Sequence, residues 1–371
     1  MKWLAQFSRI FVGVLFIISG LIKANDTLGF SYKLEEYFEI FQMPFLNPYA
    51  VLFSMVICVF EIISGFALLL GIYNKLNAWL LLILIVFFTL LTGYSAITHK
   101  VTDCGCFGDA LKLTPFTSFM KDVLLLILIL FIFFGLKHIN PLFNKVIMNV
   151  TLSAAFLVAT FFTLYTYMFL PIKDFLPYKI GNNIQELTFT PPDAPKDEIE
   201  MIFIYVKGGQ TYEFTADKLP EDIDTYEFVD RKDKLIKEGF KPPIHDFKLY
   251  DLNGIEYTDS LFANDGYKLM WVQTKTEASR KGVEAQLAKL SKEWLASGKQ
   301  IWALTASNLT DANKYAMDNQ FGFQFYNMDA IPLKSMVRSN PGIILLKKNV
   351  VVKKWGAYNL PSYETVQKYM N

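Results

Sequence analysis

Long apolar runs, separated by short polar segments, fill the chain as far as residue 170. Five runs approach or exceed the roughly 20 residues that a membrane-spanning helix needs: 3–22, 49–72, 76–97, 119–136 and 146–170. Between the first two, apolar residues at positions 30, 34, 37, 38 and 41 recur at helical spacing, with lysine and glutamate between them. That pattern predicts a short helix lying in the membrane interface.

The composition after Pro171 is that of a soluble protein. Segments 198–206 and 210–214 predict a hairpin, and 217–234 reads as acidic and irregular. From residue 240, predicted strands alternate with predicted helices, and Asn253-Gly254 marks a turn between short strands. The order of these elements predicts an α/β sandwich. It is strand (268–273), helix (277–296), strand (300–305), helix (310–319), strand (323–327), then a closing hairpin (342–347 and 350–355) and a last helix.

The pattern divides the chain into four parts. Residues 1–140 form a four-helix membrane domain, 141–177 a fifth membrane helix, 178–239 a small linker rich in β-structure, and 240–371 the α/β module. The fold class is therefore an α-helical membrane bundle followed by a soluble α/β domain.

Charge then orients the bundle and limits the partners. A net charge of +1 favours no binding to nucleic acid. The positive-inside rule, although the bias is weak, places Lys2, Arg9, Lys75 and the lysines at 137 and 145 in the cytoplasm. Five spans then put the α/β module on the outer side. The polar segment 98–118, which we call the cysteine loop, lies on that side too.

Two of the three cysteines lie in this loop, within the sequence Asp103-Cys104-Gly105-Cys106-Phe107-Gly108-Asp109. A disulfide across one residue closes a strained ring, which makes the bond labile and suits a redox pair. A second interpretation is a metal site built from His99, Cys104, Cys106 and Asp109, with Asp103 nearby. The third is a passive structural disulfide or two idle thiols.

Glu61 lies inside the second span, where an ionisable group is costly and is a functional candidate. Its expected partner is Arg9 or Lys23 in the first span, and a purely structural ion pair is the alternative. Cys58, one helical turn from Glu61, is most simply a small buried hydrophobe. We expect Lys121-Asp122, at the end of the fourth span, to be an ordinary interfacial pair.

The membrane half resembles the DoxX/MauE superfamily of four-helix membrane proteins. The resemblance covers roughly residues 3–136 and rests on three sets of residues: Arg9, Gly13, Ser19-Gly20, Lys23 and Asp26 in the first helix, Glu61, Gly65 and Gly71 in the second, and Cys104-Gly105-Cys106-Phe107-Gly108 in the loop. It implies a bundle related to quinone-linked disulfide-forming membrane enzymes. Those enzymes use an intramembrane cysteine pair, and Cys58 has no neighbouring cysteine to complete one.

The α/β module resembles a thioredoxin-like domain of the membrane-tethered kind. Ser339-Asn340-Pro341-Gly342 occupies the position of the cis-proline loop of that fold. The redox Cys-x-x-Cys expected after strand 268–273 is absent, because the sequence there reads Gln273-Thr274-Lys275-Thr276. No cysteine follows Cys106, so the module cannot exchange thiols by itself.

Together these features predict a multi-pass protein of a bacterial inner membrane with a periplasmic α/β module. We expect it to be a thiol–disulfide oxidoreductase that links Cys104 and Cys106 to a quinone and to envelope clients, with Glu61 as a further site residue. Asn340 and Pro341 would contribute to client binding. The alternative is a non-enzymatic assembly factor of an envelope complex, in which the cysteine loop is structural or binds a metal.

Overall fold

A computed structural model describes residues 1–98, 105, 107–237 and 239–370. Its first half is helical, and we call the six helices together the bundle. They are α1 (Lys2–Asn25), α2 (Thr27–Ile40), α3 (Ala50–Leu70), α4 (Asn74–Thr98), α5 (Pro115–Phe134) and α6 (Lys145–Phe169). Five of the helices in the described ranges are long and apolar enough to cross a membrane, namely all but α2. The five predicted spans are therefore confirmed by length and composition, and a helix occupies the predicted interfacial segment.

Glycines allow α1 and α3 to pack closely. A side chain at Gly65 would lie 2.6 Å from the carbonyl oxygen of Gly13, and one at Gly20 would lie 2.7 Å from the side chain of Ile62. Small residues at such crossings are typical of helix packing in membranes, where backbones must approach closely. The apolar core of the bundle includes Leu81 and Ile129.

Two sheets make up most of the second half. The short helix α7 (Ile184–Thr188) precedes β1 (Glu198–Lys207), β2 (Gln210–Thr215) and β3 (Glu227–Lys237), which form an antiparallel sheet in the order β2-β1-β3. The predicted hairpin of β1 and β2 is confirmed. The prediction that 217–234 is irregular was wrong for its second half. There β3 pairs with β1 through its backbone while every side chain stays exposed.

The α/β module follows, and its elements alternate as predicted. They are α8 (Thr258–Ala263), β4 (Tyr267–Val272), α9 (Glu284–Ala296), β5 (Ile301–Thr305), α10 (Leu309–Asp318), β6 (Phe325–Asn327), α11 (Ala330–Met336), β7 (Gly342–Lys347), β8 (Val350–Gly356) and α12 (Tyr363–Gln367). The sheet order is β6-β5-β4-β7-β8, with β4, β5 and β6 parallel and β7 and β8 antiparallel to their neighbours.

Apolar clusters cover both faces of this sheet. On one face Trp271 and Trp294 are fully buried. The other face includes Tyr178 and Ile184, which precede the first sheet in the chain. The backbone of Ile184 donates to Asn349 O, and Val351 donates to Asn182 O. The segment 178–188 is thus packed against the α/β module.

Hydrogen bonds and ion pairs also join the module and the segment before it to one end of the bundle. Lys354 pairs with Asp174 at 2.7 Å. The side chain of Asn25, at the end of α1, exchanges two hydrogen bonds with the backbone of Lys173. Lys334 of α11 pairs with Glu35 of α2 at 3.1 Å. These contacts position the loops that precede β7 next to the end of the bundle that carries the cysteine loop.

Candidate functional site

The cysteine loop is only partly described by the structure. His99, Cys104 and Cys106, which the sequence analysis singles out, lie outside the described residues. Gly105, between the two cysteines, is buried with a φ of +64°, and an added side chain there would lie 3.1 Å from Lys33 Cγ. The positive φ favours glycine at this position, and the side chain of Lys33 leaves little room for a larger residue.

Glu61 forms a buried ion pair with Lys23, and so joins α3 to α1 inside the bundle. Of the two expected partners, Lys23 is therefore correct. Arg9 instead donates to the carbonyl oxygens of Leu68 and Leu69, which end α3. The second carboxylate oxygen of Glu61, Oε2, is buried and has no hydrogen-bond partner among the described residues. Such an atom is costly in an apolar interior unless something binds it.

A second ion pair lies nearer the cysteine loop. Lys121 and Asp122 approach to 2.8 Å, and Thr92 donates to Asp122 at 3.0 Å. Asp122 is 1% exposed. The two residues are therefore paired as predicted, and the neighbouring helix α4 covers the carboxylate and supplies a donor.

A cavity of about 40 Å³ connects the two ion pairs. Lys23 and Glu61 line one part of it, and Lys121 and Asp122 another. Its apolar lining comprises Leu15, Phe16, Phe30, Leu84, Ile85, Phe88 and Leu125. Phe107, the residue directly after Cys106, also lines it, and its ring lies 5.5 Å from Lys121 Nζ. The cavity therefore reaches from buried charges in the bundle to the cysteine loop.

Cys58 is fully buried one turn from Glu61. It packs among apolar residues that include Phe30, Ile62 and Ala159. These surroundings agree with the interpretation of Cys58 as a small hydrophobe.

The predicted binding residues of the module lie in the loop before β7. The Asn340–Pro341 peptide bond is cis, as the resemblance to a thioredoxin-like domain implies. Pro341 is buried, and Asn340 donates to Lys275 O at 2.7 Å. Asn340 thus holds the segment that takes the place of the missing Cys-x-x-Cys. Client binding by Asn340 and Pro341 remains a prediction.

Asp109 is the one member of the alternative metal-ligand set that the structure describes. Its carboxylate accepts a hydrogen bond from Arg338 at 2.6 Å. Within the described ranges, no three histidine, cysteine or acidic side chains are grouped closely enough to hold a metal ion.

Arg338 is the site residue that the sequence analysis missed. It lies three residues before Pro341 and also donates to Asp26, at the end of α1, at 2.8 Å. Burial alone would lower the pKa of Arg338, but Asp26 and Asp109 hold it above its ordinary value. Its place beside the cis-proline loop was the only sequence signal, because 312 and 229 residues separate it from these partners.

Two family models match parts of the chain. Residues 1–135 match the family of the methylamine utilisation protein MauE, which confirms the predicted MauE-like character of the membrane half. Residues 199–238 match a domain of unknown function, DUF8463, whose range corresponds to the sheet of β1, β2 and β3.

One curated relative is Protein TlpB of Flavobacterium psychrophilum, which is 27% identical over 231 residues. The alignment covers 59% of this chain and 59% of the relative, so the chain spans less than two thirds of the length of that protein. No solved structure matches the chain. The comparisons thus support a multi-pass membrane protein with a MauE-like membrane half and a soluble α/β domain.

Proposed function

We propose that this protein is a membrane thiol–disulfide oxidoreductase whose redox pair is Cys104 and Cys106. The disulfide of the pair takes two electrons from a client dithiol, so that its own S–S bond breaks and one forms in the client. The pair re-forms its disulfide by giving two electrons and two protons to a quinone, which becomes a quinol. The disulfide of the pair is labile because its ring is strained.

The cavity beneath the cysteine loop is the observation that carries this proposal. Phe107, the residue directly after Cys106, lines a space that Lys121, Asp122, Lys23 and Glu61 also line. Ionisable groups in the interior of a membrane protein are typical of ion pathways and proton relays. Re-oxidation of two thiols releases two protons, and these groups lie where the protons must go.

The residues around the cavity fit the chemistry of a quinone headgroup. Lys23 and Lys121 carry ammonium groups suited to carbonyl oxygens, and no hydrogen bond from the part of the chain that the structure describes reaches Glu61 Oε2. A volume of about 40 Å³ holds roughly one to three water molecules and no ring. A quinone headgroup therefore requires the apolar lining, such as Phe88 or Leu84, to move outward.

Glu61 has a defined task in this scheme. Its free oxygen accepts a proton at the cavity, while Lys23 holds the other oxygen and fixes the carboxylate in place. Lys121 and Asp122 form the second pair, between Glu61 and the cysteine loop. General acid–base groups of this kind contribute roughly 10²–10⁴-fold to a rate.

Quinol formation by the purified protein in lipid nanodiscs tests the proposal. A reduced dithiol peptide serves as electron donor, and a short-chain ubiquinone or menaquinone analogue as acceptor. We expect turnover by the parent, none with Cys104→Ser or Cys106→Ser, and a fall of about 100-fold with Glu61→Gln. Glu39→Gln, the same change on an exposed carboxylate of α2, is the matched control and should keep the parent rate. Quinol formation that survives the loss of either loop cysteine would refute the assignment.

Alkylation with and without a chelator separates the redox pair from a metal site. A redox pair is mostly oxidised in cells and becomes reactive after mild reduction, whether or not a chelator is present. A metal site keeps both thiols reduced and protected until a chelator removes the ion. Protection that a chelator abolishes would favour the metal interpretation over the redox one.

The lack of cysteine in the α/β module favours a second candidate function. Its sequence has no cysteine, and the segment 273–276 replaces the redox motif. In this alternative, the protein is a non-enzymatic assembly factor of an envelope complex, and the module is a pure binding domain. Full function in cells with both loop cysteines replaced by serine would select it.

The proposal also includes a place in the cell. The protein resides in a bacterial inner membrane, with the cysteine loop and the α/β module in the periplasm, where disulfides persist. The odd number of long apolar helices among the described residues and the lysines of the predicted inner loops support this orientation.

A further inference from the structure

Arg338 reaches from the soluble module into the outer end of the bundle. Its side chain is 6% exposed. Nε donates to Asp26 at 2.8 Å, one Nη donates to Asp109 at 2.6 Å, and the other donates to the carbonyl oxygen of Lys334. Each of the three nitrogens of the guanidinium group therefore donates a hydrogen bond.

The two carboxylates belong to segments that are distant in sequence. Asp26 follows α1 and caps α2 by accepting from the backbone of Gly29 at 2.8 Å. Asp109 lies three residues after Cys106, in the short 3-10 turn 108–110. Arg338 thus ties the segment that leaves the cysteine pair to the junction of α1 and α2.

The geometry of this contact requires arginine. Two carboxylates of like charge lie close together, and Asp26 and Asp109 are only 13% and 25% exposed. Guanidinium presents several fixed donors and serves both at once, whereas the ammonium of lysine is a compact point charge. Without Arg338 the two carboxylates repel each other, and the turn that contains Asp109 is released.

We propose that Arg338 is a positioning residue for the cysteine pair: by holding Asp109 against Asp26, it fixes the turn 108–110 that follows Cys106, and it thereby slows the reaction of Cys104 and Cys106 with reagents in solution. The role of the pair in this inference rests on the proposed function. The restraint on the turn 108–110 does not, because it follows from the contacts of Arg338 alone. The module then acts on the pair through position, without thiol chemistry of its own.

The rate at which the two thiols are alkylated tests the inference. The full-length protein in nanodiscs is reduced with a phosphine, freed of reductant and pulsed with a charged maleimide, and each cysteine is quantified by mass spectrometry. Arg338→Gln, Arg338→Lys and Asp109→Asn should each accelerate alkylation by about tenfold, the factor expected for one lost charge-assisted hydrogen bond. The double variant Arg338→Gln/Asp109→Asn should be no faster than either single one, because both changes break the same contact.

Lys334→Gln is the matched control. Lys334 lies four residues from Arg338 and also joins the module to the bundle, through Glu35 at 3.1 Å and the ring of Tyr32 at 4.3 Å. No hydrogen bond, ion pair or ring contact joins its side chain to the described part of the cysteine loop, so alkylation should change less than about twofold. An equal acceleration in Lys334→Gln would overturn the inference, because docking in general would then control access.

A parent-like rate in Arg338→Gln, in protein whose thermal unfolding is unchanged, would also overturn it. If Arg338→Gln misfolds, the alkylation rate of Asp109→Asn is the deciding measurement, because that substitution leaves the module unchanged. The reduction is chemical, so the alkylation rate reports on the loop whether or not the pair is redox-active. Normal restraint by Arg338 without quinol formation would contradict only the proposed function.

Discussion

Ile184 is the side chain whose loss tests most directly where the α/β module begins. It lies in the segment 178–188, far before the first strand of the module, yet it is fully buried against the module sheet. Its backbone donates to Asn349 O at 2.9 Å, and Gly181 donates to Val351 O at 2.8 Å. The segment thus adds both apolar side chains and an extra pairing partner beside β8.

The expected cost of Ile184→Ala is large for a domain of this size. Truncation of a buried isoleucine costs about 2–5 kcal/mol, out of a total stability of roughly 5–15 kcal/mol. For a domain of 150–250 residues this corresponds to a fall in Tm of roughly 4–20 °C. Ile180→Ala is the matched control. Ile180 is 53% exposed, so its loss should change stability by less than about 0.5 kcal/mol.

Urea unfolding of the fragment 174–371 measures both variants. Trp271 and Trp294 are fully buried, so their fluorescence follows the module core. The fragment 240–371, which lacks Tyr178 and Ile184, should unfold at a clearly lower urea concentration than 174–371. Equal midpoints for the two fragments, or for Ile184→Ala and its parent, would show that the segment is not part of the folded module.

Three further predictions follow from other parts of the chain. Burial lowers the pKa of Lys268 to about 8, below its unfolded value near 10.4. The protonated side chain therefore destabilises the fold below about pH 8, and the free energy of unfolding should rise from there to about pH 10.4. Urea unfolding curves of Lys268→Met should not show this rise. Gly65→Ala should cost about 1–3 kcal/mol of bundle stability in detergent, because the added carbon would lie 2.6 Å from Gly13 O. The same thermal stability as the parent would contradict this packing. A phosphatase reporter should be active at the carboxy terminus and inactive at Lys75 or His138, and the opposite pattern would reverse the proposed sidedness.

The sequence predicts the bundle well because each span depends on a local property, a run of apolar residues. The first strands of the module are predicted for the same reason, since β4 and β5 are apolar on both faces. Strand β3 lacks such a signal. Its central residues, 230–234, are all charged, so it has no apolar face, and its backbone pairing with β1 makes it a strand.

Long-range contacts explain the other differences. The helix predicted from residue 277 begins at Glu284, because Arg280 instead donates to Ala357 O and Asn340 O. The turn at Asn253-Gly254 is present, but its flanks form only isolated bridges, since Tyr250 pairs with both Glu256 and Asn327. In each case a partner distant in sequence decides the local structure, and the sequence does not reveal that partner.

The candidate site likewise contains residues that the sequence reveals and residues that only long-range contacts reveal. Glu61 was identified because a charge inside an apolar run is conspicuous, and its pairing with Lys23 was one of two possibilities. The contact of Arg338 with Asp26 and Asp109 joins three segments whose residues are individually ordinary. In the function proposed above, this contact is the route by which the cysteine-free module influences the cysteine pair. Changes in the module that alter thiol reactivity should therefore act through Asp109, and those that leave its contact with Arg338 intact should not.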